Sequence, residues 1–380
     1  MCRKPPYVKR VVRTRMQMED SRLDKSMWRY RAMLPEMGER PVSLGEGLTP
    51  LVASHLLPGI DLKWKDETRN PTGSHKDRAL SLAATHARAI GARTMVVVSA
   101  GSTGLSNAAY AARAGLRSIA VMSAGAPRER VYPLHALGSR LVAVDGGIDE
   151  LIATVTGLAG KDGIYVASTT QSANAVQAEA ARTIAFELVD DLGDAPDVLV
   201  VPVGGGGTLG AIHRGFTQLL QAGRIARLPR LIGVVPSRYD ALKTAHEAGI
   251  ADAKAFFDLP APVGGPTVLN KIAHDHAPDG IEALRALRES KGAVYAFEDS
   301  DAILAVAEIG RSDGIYLEPS SAIALPALRQ MQRDGVISPG QTVVALACGS
   351  GFRETSVLLD AAPLTMETAT LATLPELLAR

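Results

Sequence analysis

The chain has 380 residues, 46% of them hydrophobic and 21% charged, ordinary proportions for a globular protein of about two domains. Its 41 Lys and Arg balance 40 Asp and Glu, and aromatics are only 4%, which argues against a nucleic-acid partner. Two cysteines, Cys2 and Cys348, exclude a disulfide scaffold and a Cys-rich zinc site, and no metal is expected. No apolar run reaches the ~18 residues that cross a bilayer. The basic, polar start of the chain shows no signal-peptide core, so a cytoplasmic protein without a membrane partner is expected.

In chain order, Arg3, Lys4, Lys9, Arg10, Arg13 and Arg15 mark a charged, irregular arm, with a helix near Trp28–Leu34 packing on the body. From Val42 onward, β-rich runs alternate with Ala/Leu-rich ones. Strands are predicted at Thr94–Ser99, Ser118–Met122, Arg140–Val144, Val198–Val203, Arg230–Val235, Ala293–Phe297 and Thr342–Leu346. Helices are predicted at Ala79–Ala89, Ser106–Ala114, Glu129–Leu137, Asp149–Ala159 and Leu209–Phe216. Strands apolar throughout and rich in Val are buried on both faces, as in parallel sheets covered by helices. The fold class is α/β, with two open, mostly parallel sheets.

Four stretches carry chemistry. In Asn70-Pro-Thr-Gly-Ser-His-Lys-Asp-Arg78, turn residues lead into a helix, with Ser74 placed to cap it and Lys76 in its first turn. A cation is disfavoured at that end, which lowers the proton affinity of Lys76 and suits a Schiff-base nucleophile; an exposed surface lysine is the plain alternative. In Ser99-Ala-Gly-Ser-Thr-Gly104 a strand runs into small hydroxyl residues and then a helix, so that N–H groups and hydroxyls converge on a small anion such as a carboxylate. In Val203-Gly-Gly-Gly-Gly-Thr208 a buried strand ends in Gly204, Gly205, Gly206 and Gly207 before a helix. That is a phosphate cradle with Thr208 as an added donor, or a tight turn with no ligand. Cys348 ends the last strand, where open α/β sheets place ligands, though a lone cysteine also serves as a small core residue.

Taken together, these motifs resemble the fold-type-II pyridoxal-phosphate enzymes, and among them the threonine synthases. The resemblance runs from Trp28-Arg-Tyr-Arg31 and Leu44-Gly-Glu-Gly-Leu-Thr-Pro-Leu51 through Leu317-Glu-Pro-Ser-Ser-Ala322 to the Cys348 loop. It implies a fold like that of the tryptophan synthase β subunit, with pyridoxal 5'-phosphate in a cleft between two domains. On this resemblance Lys76 is the catalytic Schiff-base lysine, and Gly204, Gly205, Gly206, Gly207 and Thr208 hold the cofactor phosphate. Cys348 faces the pyridine nitrogen as a neutral partner, which weakens the electron sink relative to an Asp. Ser102 lies near the ring oxygen. Ser99, Ala100, Gly101, Thr103, Asn174 and Gln177 are implied to bind substrate.

The implied organisation is an N-terminal arm at 1–44, an α/β domain at 45–185 with a mobile substrate-carboxylate segment at about 95–150, a second α/β domain at 186–355, and a tail at 356–380. A homodimer is implied as well. The implied activity is elimination or replacement of the β- or γ-substituent of an activated amino acid. True threonine synthesis from O-phosphohomoserine, a serine/threonine dehydratase and a non-catalytic cofactor-binding protein are the alternatives.

Several positions depart from the family's pattern. Threonine synthases typically carry Asn-Pro-x-Arg-x-Glu-Gly where this chain reads Asn174-Ala-Val-Gln-Ala-Glu-Ala180, so the phosphate-gripping Arg becomes Gln177. Loss of a bidentate cation weakens recognition of a phosphorylated side chain unless Arg78, Arg182 or Lys243 reaches in. Ser102 stands where an Asn is usual. His75 replaces Phe and Ala79 replaces Gly around the lysine, and the glycine loop reads as in amino-acid dehydratases.

Overall fold

The computed structural model describes residues 24–38, 40–145, 148–361 and 366–378. The basic residues expected to form an arm at 3–15, and Cys2, lie outside them. The described residues form ten strands: β1 (Leu51–Ala53), β2 (Asp61–Asp66), β3 (Thr94–Val98), β4 (Arg117–Ser123), β5 (Arg140–Val144), β6 (Ile164–Val166), β7 (Val198–Pro202), β8 (Arg230–Pro236), β9 (Ala293–Phe297) and β10 (Thr342–Ala347).

They make two sheets. The larger has the order β1-β2-β10-β7-β8-β9 and is parallel except for the edge strand β1. The smaller, β5-β4-β3-β6, is wholly parallel. Buried apolar strands, such as the Val-rich β7, are what a sheet covered on both faces requires. One face of the larger sheet packs Phe186, Ile212, Phe216 and Leu287, and the other packs Trp64, Leu325, Leu328 and Met331.

The two sheets are not consecutive along the chain. β1 and β2 belong to the larger sheet, where β2 lies between β1 and β10 with Leu62 opposite Val343 and Asp66 opposite Ala347. The smaller sheet is therefore an insertion between β2 and β7. The physical reason is the composition of β2, Asp-Leu-Lys-Trp-Lys-Asp, whose Leu62 and Trp64 are core residues. Its Lys65 is buried because Glu187 meets the ammonium at 2.9 Å.

The segment expected as a helix near Trp28 is one, a 3-10 helix at Met27–Met33, whose Trp28 indole donates to Glu46 (3.0 Å) and Ser81 (2.8 Å). The helices Lys76–Ala89 and Ser102–Ala114 begin three and four residues earlier than predicted, extending back into the motif residues themselves.

Candidate active site

Lys76 is the first residue of its helix, on the stretch that leads from the larger sheet to the smaller one. The loop before it is stitched to the Cys348 loop by backbone bonds: His75 N–H to the Cys348 carbonyl (3.0 Å) and Ser350 N–H to Gly73 (2.9 Å). Ser74 does not cap the helix. It forms an antiparallel bridge with Gly349, and its buried hydroxyl has no hydrogen-bond partner among the described residues. Asp77 organises the turn instead, accepting from the Thr72 N–H (2.6 Å), the Thr72 hydroxyl (2.5 Å) and the Ser106 hydroxyl (2.6 Å). Arg78 is buried between Glu67 (2.7 Å) and Glu187, which anchors the helix to the core. Desolvation pulls the Lys76 ammonium below its ordinary pKa, against the opposing pull of Cys348, Glu318 and Asp279.

Beyond β7, Gly206 takes a left-handed conformation (φ +89°) and Gly207 opens the helix Gly207–Gln221. The loop is pressed onto a neighbouring segment. A Cβ on Gly204 would stand 2.9 Å from Ile272 Cα, and one on Gly206 would stand 2.8 Å from the Asp279 carbonyl oxygen. No hydrogen bond within the described residues takes the N–H groups of Gly204, Gly205, Gly206 or Gly207. Donors without a partner among the described residues, at and just before the start of a fifteen-residue helix, have the shape and dipole that suit an anion.

Cys348 is buried directly after β10, and burial with the nearby Glu318 carboxylate pushes its thiol well above the ordinary range, so it stays neutral. Its loop is fastened to the Leu317–Ala322 motif, with Gly349 N–H donating to Ser321 Oγ (3.0 Å) and Glu318 N–H to the Gly349 carbonyl (3.2 Å). His75 reaches from the lysine loop to both neighbours. Its ring lies against the Cys348 carbonyl oxygen on one side and the Thr208 hydroxyl on the other.

The Ser99–Gly104 loop faces this group from the smaller sheet. Ser99 Oγ accepts from Gly101 N–H (3.0 Å), and Ser102 starts the next helix. Arg353, from the other side of the cleft, donates to Ser102 Oγ (2.7 Å). Ala100, Gly101 and Ser102 share a small cavity with Lys271, Arg353 and Glu354. Lys271 pairs with Glu318 and with Glu354 (2.9 Å), and Arg130 also pairs with Glu354. The sequence reading missed these mouth residues because they come from three separate segments and form no local motif.

Lys76, Thr208 and Cys348 are thus joined through the His75 loop, and Ser102 is tied to Arg353, five residues beyond Cys348. Asn174 and Gln177 are different. Both are buried, with the Asn174 amide donating to the Tyr165 hydroxyl (2.9 Å) and the Val166 carbonyl (3.1 Å), and accepting from Gln177 N–H (3.0 Å). These bonds shape the 166–177 loop. The cations that could replace the missing arginine are committed elsewhere: Arg78 to Glu67 and Glu187, Arg182 to Glu179 and Gln218, and Lys243 to Glu247.

Comparison with known proteins gives the family. Residues 42–349 match the family described as "Pyridoxal-phosphate dependent enzyme". The threonine synthase of Mycobacterium tuberculosis is 34% identical over 340 residues, spanning 88% of this chain and 90% of its own. That of Methanocaldococcus jannaschii is 32% identical over 342 residues, 88% and 82% of the two chains. Among solved structures, a fungal L-serine ammonia-lyase from Rhizomucor miehei shares the fold with a TM-score of 0.71 at 20% identity, covering 86% of this chain and all of its own. This chain belongs to the pyridoxal-phosphate dependent enzyme family.

Proposed function

We propose that this chain removes or replaces the β- or γ-substituent of an activated amino acid, as a pyridoxal-phosphate-dependent lyase similar to threonine synthase. The observation that carries the reading is Lys76 itself, a helix-initial lysine of lowered proton affinity whose preceding loop is tied by backbone bonds to the loop that begins at Cys348. The free N–H groups of Gly204–Gly207 and the partnerless Ser74 hydroxyl fit a phosphorylated cofactor in the same cleft.

Pyridoxal phosphate supplies a carbonyl that condenses with amines and a ring that draws electron density from the substrate's Cα. The chain's own residues do the rest. Lys76, as a neutral amine, takes the proton from Cα and returns one to a later carbon. The N–H groups of Gly204–Gly207 and the Thr208 hydroxyl would hold the phosphate. The neutral Cys348 thiol would face the ring nitrogen and leave it without a formal charge. N–H groups at the start of the Ser102 helix would take the substrate carboxylate, with Ser99, Ala100, Gly101 and Thr103 around it. The 95–150 segment would cover the substrate, held by the Arg353–Ser102 and Glu354–Arg130 contacts.

Similarity to threonine synthases supports O-phosphohomoserine as substrate, whereas the buried Gln177, whose Oε1 accepts from the Asn174 amide (3.3 Å), supports a differently activated amino acid. Phosphate release and threonine formation from O-phosphohomoserine decide between them. Turnover of ordinary threonine-synthase efficiency would establish plain threonine synthesis. A homodimer in the cytoplasm is the setting proposed with this reading, and sedimentation of the purified protein tests the dimer.

A further inference from the structure

Asp279 stands between three parts of the site. Its N–H donates to the Gly205 carbonyl (2.8 Å), and its carboxylate accepts from Gln171 N–H (3.0 and 3.2 Å). A Cβ built on Gly207 would lie 2.5 Å from Asp279 Oδ2, so the carboxylate is lodged against the first residue of the helix whose N–H groups are free. It is buried and makes no salt bridge among the described residues. Arg214, on that helix, is paired instead with Glu179 (2.8 Å) and Glu282 (3.3 Å). A buried, unpaired carboxylate beside an anion cradle is electrostatically costly when ionised, and more so once a second anion arrives.

We infer that Asp279 takes up a proton when a phosphate dianion settles on the Gly204–Thr208 loop, so that capture of a phosphate ester is proton-linked and weakens as pH rises. This rests on the reading of that loop as the cofactor-phosphate cradle. The proton comes from solvent to Asp279 Oδ, and no other bond changes. The charged groups facing the carboxylate are Arg214 from the glycine-loop helix, Glu282 from its own helix and Lys76 from the lysine helix. Burial outweighs the Gln171 hydrogen bond and the two cations and raises the carboxyl to about 6, so it is mostly ionised at neutral pH in the free protein. Below that value it is already neutral and offers the phosphate no repulsion.

The test is calorimetric titration of cofactor-free protein with pyridoxal 5'-phosphate at pH 7.5, in two buffers of different ionisation enthalpy, for the wild type and Asp279→Asn. Both proteins also carry Lys76→Ala, because Asp279 itself acts on the proton affinity of Lys76 and the lysine's protons would otherwise differ between them. The wild type should take up more protons per site than the variant. Asp279→Asn should bind at least about fivefold more tightly at pH 8, with the two agreeing within about twofold at pH 5.5. Equal proton uptake and parallel pH profiles would overturn the inference. Asp279→Ser, which keeps an acceptor for Gln171 N–H, repeats the comparison if the amide variant is unstable. Gly205→Asp reports separately on the cradle, because a side chain there meets only Pro278, at 3.4 Å. Unchanged affinity in that variant would overturn the assignment of the loop itself.

Discussion

His75 Nδ1 lies 3.1 Å from the Cys348 carbonyl oxygen, and His75 Nε2 lies 3.4 Å from Thr208 Oγ1. A carbonyl oxygen only accepts, so Nδ1 carries the proton and Nε2 accepts from the Thr208 hydroxyl. One neutral imidazole therefore ties the end of β10 to the glycine loop. His75→Phe keeps the ring's bulk and removes both bonds. Cofactor affinity should fall by about three- to tenfold, in line with one or two ordinary hydrogen bonds. Fluorescence titration with pyridoxal phosphate measures it, and an unaltered affinity would remove His75 from this role.

The same residue sets part of the acid limb of stability. Burial, followed by the charge of Lys76, lowers the His75 pKa from 6.5 to about 3. Its stability contribution is thus complete above pH 6.5 and is lost as pH falls from there toward 3. Urea unfolding of His75→Phe should show a shallower fall in stability across that window than the wild type.

Gly206→Ala places a side chain in a left-handed backbone conformation and 2.8 Å from the Asp279 carbonyl oxygen. The strain should cost about 1–3 kcal/mol, seen as a lower Tm. It should also misdirect the neighbouring N–H groups, so added pyridoxal phosphate should raise the Tm of this variant less than that of the wild type.

Arg78→Met leaves Glu67 and Glu187 buried without their shared cation. Removing one partner of a buried ion pair costs about 3–5 kcal/mol. Burial alone would raise the Glu67 pKa, but Arg78 and Lys65 hold it at about 2. Its contribution is present above its ordinary 4.5 and is lost only as pH falls toward 2. Circular dichroism should therefore show Arg78→Met unfolding at a higher pH than the wild type.

For the substrate, each charge-assisted donor to a leaving phosphate contributes about 1.5–3 kcal/mol. With Gln177 in place of the family's arginine, phosphate release from O-phosphohomoserine should be at least about tenfold weaker than the turnover of the preferred substrate. A phosphate-release assay against a panel of β- and γ-activated amino acids checks this.

The parallel strands were legible because each is a short apolar run between turns, and β5 and β9 fall on the predicted residues. β2 was not legible: charges occupy four of its six positions, and Lys65 is tolerable inside through Glu187, Asp191 and the Thr49 carbonyl, the two carboxylates distant in the chain. Lys76 and the glycine loop were visible because their chemistry is local. Asp279 and the Lys271–Glu318–Glu354 cluster were not, since their neighbours are set by the fold. His75 was legible only as a departure from the family pattern, and its partners, Cys348 and Thr208, lie far along the chain.

The position of β10 bears on how the protein is made. β10 lies between β2 and β7, so the larger sheet cannot close until residues 342–347 have left the ribosome. Until then β2 and β7 present unpaired edges, of the kind that recruit foreign strands. The smaller sheet, complete once β6 is synthesised, has no such wait. A nascent chain should therefore fold its insertion first and hold its outer body open, most exposed to misassembly and most dependent on chaperones just before its last strand emerges.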